Sequence, residues 1–161
     1  MITIGRIRLD GVTLQEFSQN YDKVYIIVRS IGNEQRKNAI LCAPNIVHLP
    51  VLSPSWALFQ EFRSEVDKNF GQFPTEWFNR IYVPQFLHEL AQPAAKAALH
   101  AVYEEAKTKN IIMLCFCKDE WNCHRSIVLG LMQGFDKRFG NHVTSCRNDY
   151  SRYYELTNQQ A

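Results

Sequence analysis

The chain has 161 residues, a length that suits a single domain. Hydrophobic residues make up 46% and charged residues 21%, so a core can be buried and a wholly disordered chain is excluded. The formal charge of +2 is too small to require nucleic acid or a membrane surface as a partner. The sequence opens without a secretion leader and contains no long apolar run, so we expect a cytoplasmic protein with reduced thiols and no membrane span.

Short apolar runs alternate with helical patterns, which is typical of a parallel sheet flanked by helices. The runs ITIGRIRL, KVYIIVRS and IIMLCFC predict strands, as do residues 46–52, and HVTS predicts a weak last strand. We expect one α/β domain of Rossmann-like type over residues 1–145. The polar tail over residues 146–161 is expected to pack on this domain or extend it. Ligands are expected beyond the carboxyl ends of the strands.

Capping residues and prolines predict where the helices begin. Thr13 is predicted to cap a short first helix, and Ser55 is predicted to be the N-cap of a helix with apolar residues at helical spacing. Pro84 is expected to kink or divide a helical segment over residues 75–90. Pro93 is typical of a first helical turn. The basic stretch GNEQRKN is predicted to form a turn.

The segment CFCKDEWNCHRS, residues 115–126, joins the last buried strand to the last helix. Cys115 and Cys117 share one face of the strand because side chains two residues apart do so. Cys117 lies nearer to the expected ligand edge. Cys115 alone is interpreted most simply as a small core residue, and packing against the sheet is an equally simple interpretation of Cys123.

The start of the last helix predicts an anion site. If Asn122 is the N-cap, the three residues that follow it occupy the first turn, where free N–H groups attract anions. Arg125 adds a bidentate fork for phosphate or carboxylate, and a cation placed at a helix N-terminus favours an anionic partner. A thiol in this position has a lowered pKa, which makes it a better nucleophile or metal ligand.

Two chemistries can be compared with this spacing. A cysteine phosphatase holds its phosphate-binding Arg closer to the nucleophile than the eight residues that separate Cys117 from Arg125, so this interpretation fails. A zinc site could use the atoms of Cys115, Cys117, Cys123 and His124. Adjacent residues such as Cys123 and His124 rarely ligate together, so we predict no cofactor and retain zinc as an alternative.

The segment resembles the signature of domain-of-unknown-function family 488. The letters LCFC of residues 114–117 and CHR of residues 123–125 match that family's Leu-Cys-x-(Glu or Cys) strand end and its Cys-His-Arg helix start. The letters VRS of residues 28–30 are similar to its Asp-Val-Arg-Ser strand end, and residues 49–55 to its Leu-Ala-Pro-Ser element. The resemblance covers about residues 2 to 140.

Trp77, Phe78 and Tyr82 fall where the family has an aromatic helix. The sequence departs from the family pattern at Ile27, where Asp is usual, and at Gly32, where Pro often follows the Arg-Ser pair. The resemblance implies a cytosolic, Rossmann-like protein of prokaryotic or phage type. It implies no settled reaction.

These observations predict a pocket for a phosphate-bearing ligand, either a nucleotide or a nucleic acid, at the carboxyl edge of the sheet. Catalysis in this pocket would use thiols and an imidazole. The predicted catalytic residues are Cys117, Cys123 and His124, and the predicted ligand-binding residues are Arg29, Ser30, Ser53, Ser55, Arg125 and Ser126.

Two other functions stay open. The chain would be a non-enzymatic interaction protein, of phage or defence context, if the Cys-His-Arg element were structural. In that case Trp56, Trp77 and Tyr150 would contact a protein partner. The third function is that of a zinc or thiol redox protein.

Overall fold

The computed structural model describes residues 1–8, 10 and 12–153 of the chain. Four strands and seven α-helices form this described part, and a π-helical turn (Phe78–Tyr82) joins two of the helices. Their bounds are β1 (Ile2–Arg6), α1 (Val12–Asn20), β2 (Lys23–Ile26), α2 (Glu34–Ile40), β3 (Ile46–His48), α3 (Trp56–Lys68), α4 (Thr75–Trp77), α5 (Val83–Leu90), α6 (Pro93–Ala106), β4 (Ile111–Cys115) and α7 (His124–Phe139).

All four strands are parallel and lie in the order β1-β4-β2-β3. β4 is central, and each of its five residues is buried, as expected for a strand covered by helices on both faces. Ile111 and Met113 belong to one cluster of buried side chains and Ile112 and Leu114 to another, because side chains along a strand point to opposite faces. The structure therefore confirms the α/β fold with a parallel sheet and flanking helices.

Three local predictions were wrong. The turn predicted over GNEQRKN is largely α2, because the side chain of Asn33 accepts a hydrogen bond from Arg36 N at 2.9 Å and starts a helix. Thr13 lies inside α1, and Asp10 is the capping residue, with Oδ1 accepting from Thr13 N at 2.9 Å. The strand predicted over residues 46–52 ends at His48, because Pro50 begins a 3-10 turn.

Other local predictions are confirmed. The hydroxyl of Ser55 accepts from Leu58 N at 3.2 Å at the start of α3, and Pro93 is the first residue of α6. Pro84 lies in the first turn of α5, directly after the π-helical turn Phe78–Tyr82. The helical segment over residues 75–90 is divided just before it, by the π-helical turn.

The chain beyond α7 returns along this helix. Val143 forms an isolated parallel bridge with Ile2, where the sequence predicted a weak strand. Tyr150 N donates to Gly130 O at 3.2 Å, and the described part of the predicted tail ends at residue 153. Residues 154–161 of that tail lie outside the described residues. None of the described helices is both long and apolar enough to cross a bilayer.

Candidate functional site

A cavity of about 380 Å³ lies at the carboxyl edge of the sheet, between the ends of β2 and β4, helix α3 and the start of α7. Its walls are largely aromatic, and few polar side chains reach it. Apart from His124 and the cysteines, the polar side chains are those of Arg29, Ser30 and Asn122. The aromatic side chains are those of Trp56, Phe59, Phe62, Phe78, Tyr82 and Phe116.

Three thiols and one imidazole meet at the base of this cavity, and we call them the sulfur–imidazole cluster. Cys115 Sγ lies 3.8 Å from Cys117 Sγ and 3.7 Å from Cys123 Sγ. His124 Nδ1 lies 3.4 Å from Cys123 Sγ and 4.0 Å from Cys115 Sγ. Cys117 is exposed, whereas the other three are buried. The structure thus brings the three predicted catalytic residues together and adds Cys115 to them.

The backbone at the start of α7 explains how two adjacent residues reach one point. The prediction that Asn122 is the N-cap is wrong, because Cys123 holds that position in an extended conformation (φ −144°, ψ 156°). Asn122 instead donates its side-chain amide to Asp119 Oδ2 at 2.7 Å, within the loop before the helix. The change from extended to helical backbone between Cys123 and His124 turns both side chains toward Cys115.

The imidazole of His124 is held from its far side. Its Nε2 contacts the backbone carbonyl of Ile27, just beyond β2. A carbonyl oxygen can only accept a hydrogen bond, so Nε2 carries a hydrogen and Nδ1 faces the sulfur atoms. The ring edge also packs against Phe86, with the ring centroids 5.9 Å apart.

The proximity of the thiols shifts their pKa values in opposite directions. Burial alone would raise the pKa of Cys123, but hydrogen bonds from Cys115 and Cys117 and the nearby charge of His124 hold it well below its usual value. Burial would lower the pKa of His124, yet the adjacent Cys123 thiolate raises it. A hydrogen bond with Cys117 lowers the pKa of Cys115, but the Cys123 thiolate and burial outweigh it and raise that pKa to about 12. The hydrogen bond with Cys115, together with Cys123 and burial, raises the pKa of Cys117.

Arg125 is fully buried and does not line the cavity. Its guanidinium contacts the carbonyl of Gly5 in β1 and donates from Nη2 to the carbonyl of Cys117 at 2.6 Å. β1 lies close to the side chains of β4 at Gly5, where a Cβ atom would lie 2.9 Å from the Ile112 side chain. Arg125 therefore lies behind the cluster and links β1 to the loop that carries Cys117.

The predicted ligand-binding residues separate into two groups. Arg29 and Ser30 line the cavity, whereas Ser53, Ser55 and Ser126 do not. The hydroxyls of these three serines are used within the protein, because they donate to Pro50 O, to Glu89 Oε2 and to two backbone carbonyls, respectively.

Some functional features carry no sequence signal. Nothing in the sequence indicates that the carbonyl of Ile27 holds His124 or that Glu89 accepts hydrogen bonds from the backbone N and hydroxyl of Ser55, at 2.8 and 2.6 Å. The aromatic walls did have a signal, the helical spacing of Phe59 and Phe62, but this pattern is equally typical of core packing.

The fold and the site define an α/β protein with a ligand-sized pocket above a sulfur–imidazole cluster. A family model, DUF488-N3a, described as the active DUF488-N3 subclade, matches residues 13–135. The chain therefore belongs to the DUF488 family. No curated protein and no solved structure matches it.

Proposed function

We propose that the protein binds a nucleotide in the cavity and acts on it through the sulfur–imidazole cluster. The observation that carries this proposal is that aromatic walls, an arginine and the exposed residue Cys117 all border one cavity. A volume of about 380 Å³ lies within the range of small-molecule sites, roughly 300–1,000 Å³.

The aromatic walls favour a planar ring. Base–aromatic stacking contributes roughly 1–3 kcal/mol for each base. Trp56 lines the cavity with 52% of its surface exposed, so an entering ring can stack on it without displacing core residues. A nucleobase therefore gains more stacking energy on these aromatic walls than an aliphatic ligand of the same volume would gain from contact with them.

Cationic and hydroxyl groups near the cavity favour a phosphate. Arg29 donates Nε to Pro54 O at 3.0 Å and Nη2 to Ser53 O at 2.7 Å, which leaves Nη1 for a ligand. Ser30 is exposed beside it. Arg36 of α2 lies 4.7 Å from the ring centre of Phe116, another wall of the cavity, and adds a second positive charge. The N-terminus of α7 also attracts anions.

Cys117 supplies the reactive sulfur in this proposal. It is exposed while Cys123 and His124 are buried beneath it, so a bound ligand meets Cys117 first. Cys123 and His124 act on the ligand indirectly, through Cys117, because all three residues belong to the sulfur–imidazole cluster.

A non-enzymatic interaction protein is the second candidate. The exposure of Trp56 favours it, because exposed Trp residues are frequent anchors of protein interfaces. Trp77 and Tyr150, the other two residues of this alternative, are only partly buried and pack against the core.

Calorimetry with nucleoside monophosphates, the matching nucleosides and inorganic phosphate tests the proposal. We expect the nucleotides to bind more tightly than either part alone. Phe116→Ala should weaken binding about tenfold, whereas Phe139→Ala, at the exposed end of α7, should leave it unchanged. Absence of nucleotide binding at about 1 mM would overturn the proposal, since this corresponds to less than about 4 kcal/mol.

A further inference from the structure

We infer that Cys115, Cys117, Cys123 and His124 form a tetrahedral zinc site at the base of the cavity. The ligand atoms of Cys115, Cys123 and His124 all lie within 4.8 Å of one another. Three thiolates and one imidazole are a donor set that zinc prefers in closed, four-coordinate sites.

Four distances among the donor atoms are close to those of a tetrahedron, and Cys117, which lies outside the group of three, would move toward the metal on binding. Zinc binds sulfur at about 2.3 Å and imidazole nitrogen at about 2.0–2.1 Å, so a tetrahedral site has sulfurs about 3.8 Å apart and sulfur about 3.5 Å from nitrogen. The two sulfur–sulfur distances from Cys115 are 3.8 and 3.7 Å. The distances from His124 Nδ1 to Cys123 Sγ and Cys115 Sγ are 3.4 and 4.0 Å.

Thiols in simple contact also lie at such distances, so the orientation of His124 is a second observation that bears on the site. Its Nε2 is committed to the carbonyl of Ile27, so Nδ1 points at the sulfur atoms. Metal-bound histidines usually donate their other N–H to a carbonyl or carboxylate in this way, which fixes the ring for coordination.

The charge of Arg125 is an independent observation. Its guanidinium is fully buried, and its Nε has no hydrogen-bond partner among the described residues. No carboxylate of the described part forms a salt bridge with it. A buried cation without a counter-charge is strongly destabilising. Three thiolates and a neutral imidazole around Zn²⁺ carry one net negative charge, which balances Arg125.

Cys117 completes the site from the solvent side. Its backbone carbonyl accepts the Nη2 hydrogen bond of Arg125 at 2.6 Å, so the loop is anchored although the side chain is exposed. The loop that carries Cys117 therefore contributes a zinc ligand and also binds the guanidinium that balances the charge of the site. The zinc site does not depend on nucleotide binding, because all four metal-coordinating side chains belong to the chain itself.

Metal analysis of the full chain tests the inference without any nucleotide present. We expect one zinc per chain after purification without chelator, with Co²⁺ replacement giving intense tetrahedral ligand-field bands and thiolate charge-transfer bands. Cys117→Ser should lower zinc affinity, measured by chelator competition, by more than the roughly 10–100-fold that loss of an outer partner costs. Cys42→Ser, which removes an exposed cysteine outside the cluster, is the matched control and should change nothing.

Alkylation of the wild-type protein gives a readout that does not depend on any variant folding. Zinc should slow the reaction of Cys117 with iodoacetamide relative to chelator-treated protein, while Cys42 reacts at the same rate in both. Failure of added zinc to bind, an octahedral Co²⁺ spectrum, or equal affinities for Cys117→Ser and Cys42→Ser would each overturn the inference. Nucleotide binding measured separately would then still stand or fail by itself.

Discussion

His124 Nε2 contacts the backbone carbonyl of Ile27, and this contact joins the first residue of α7 to the end of β2. The side chain of Ile27 is fully buried in the core and takes no part in the contact. The Nε2 side of the imidazole is therefore held by main chain and not by the side chain of residue 27. Ile27, at the position where the resemblance to the family implies Asp, therefore does not alter the acceptor that holds His124 Nε2.

Arg125 should stabilise the fold through its two carbonyl partners. Arg125→Met leaves the carbonyls of Gly5 and Cys117 without their donor, and each buried unsatisfied group costs about 1–3 kcal/mol. We expect the free energy of unfolding in urea to fall by about 2–5 kcal/mol in protein purified without chelator, in which the cluster supplies the counter-charge of Arg125. Arg147→Met, at an exposed position, is the control. A loss below about 1 kcal/mol would contradict this role.

Gly130 is needed for the return of the chain along α7. A Cβ atom there would lie 2.2 Å from Asn148 O and 2.9 Å from the Tyr150 ring. Gly130→Ala should therefore displace residues 148–153 and lower stability by about 1–3 kcal/mol, the usual cost of overpacking. Hydrogen exchange measures the displacement. Gln133→Ala, on the same helix, should leave protection of this segment unchanged, and equal effects of the two variants would argue against it.

Ser55 and Glu89 should be energetically coupled. The Glu89 carboxylate accepts from Ser55 N at 2.8 Å and from its hydroxyl at 2.6 Å, while that hydroxyl caps α3. Ser55→Ala should cost about 1 kcal/mol as a lost cap. A double-mutant cycle with Glu89→Gln should give a coupling of about 0.5–3 kcal/mol. Additive effects would show that the two groups act independently, and Ser64→Ala in the same helix serves as a neutral reference.

Trp56 should contribute to ligand affinity and little to stability. It is 52% exposed and borders the cavity, so Trp56→Ala removes a stacking surface and leaves the buried core in place. We expect about a tenfold weaker nucleotide affinity by calorimetry and an unfolding free energy within about 0.5 kcal/mol of wild type. Phe70→Ala, at a fully solvated position, is the matched control. Unchanged affinity in Trp56→Ala would exclude Trp56 as a stacking surface.

The elements that the sequence predicts best are those whose signal is local. β4 follows from an apolar run, and the starts of α3 and α6 follow from Ser55 and Pro93, because caps and prolines act within one helical turn. Helix α2 was missed because its residues are polar and basic, and its cap Asn33 is equally typical of a turn.

The residue types of the candidate site were predictable from the sequence, whereas the directions in which some of its side chains point were not. Spacing along a strand and a helix start brings the thiols and His124 to one edge. It does not reveal that Arg125 turns back toward β1, because its acceptors are backbone carbonyls that any residue carries. Five of the six aromatic walls come from α3 and the π-helical turn, which are distant in sequence from the cluster, and Phe116 alone lies beside it.

Three consecutive residues contact three different parts of the fold. Cys123 contacts the sulfur of Cys115, His124 contacts the carbonyl of Ile27 after β2, and Arg125 contacts the carbonyl of Gly5 in β1. The directions of His124 and Arg125 depend on the rotation of about 100° between neighbours in a helix. The direction of Cys123 depends on its extended backbone at the N-cap. Insertion or deletion of one residue within 123–125 would change the direction of all three side chains at once, whereas a substitution changes only one side chain. Changes in chain length that preserve the site are therefore confined to the loop before Cys123.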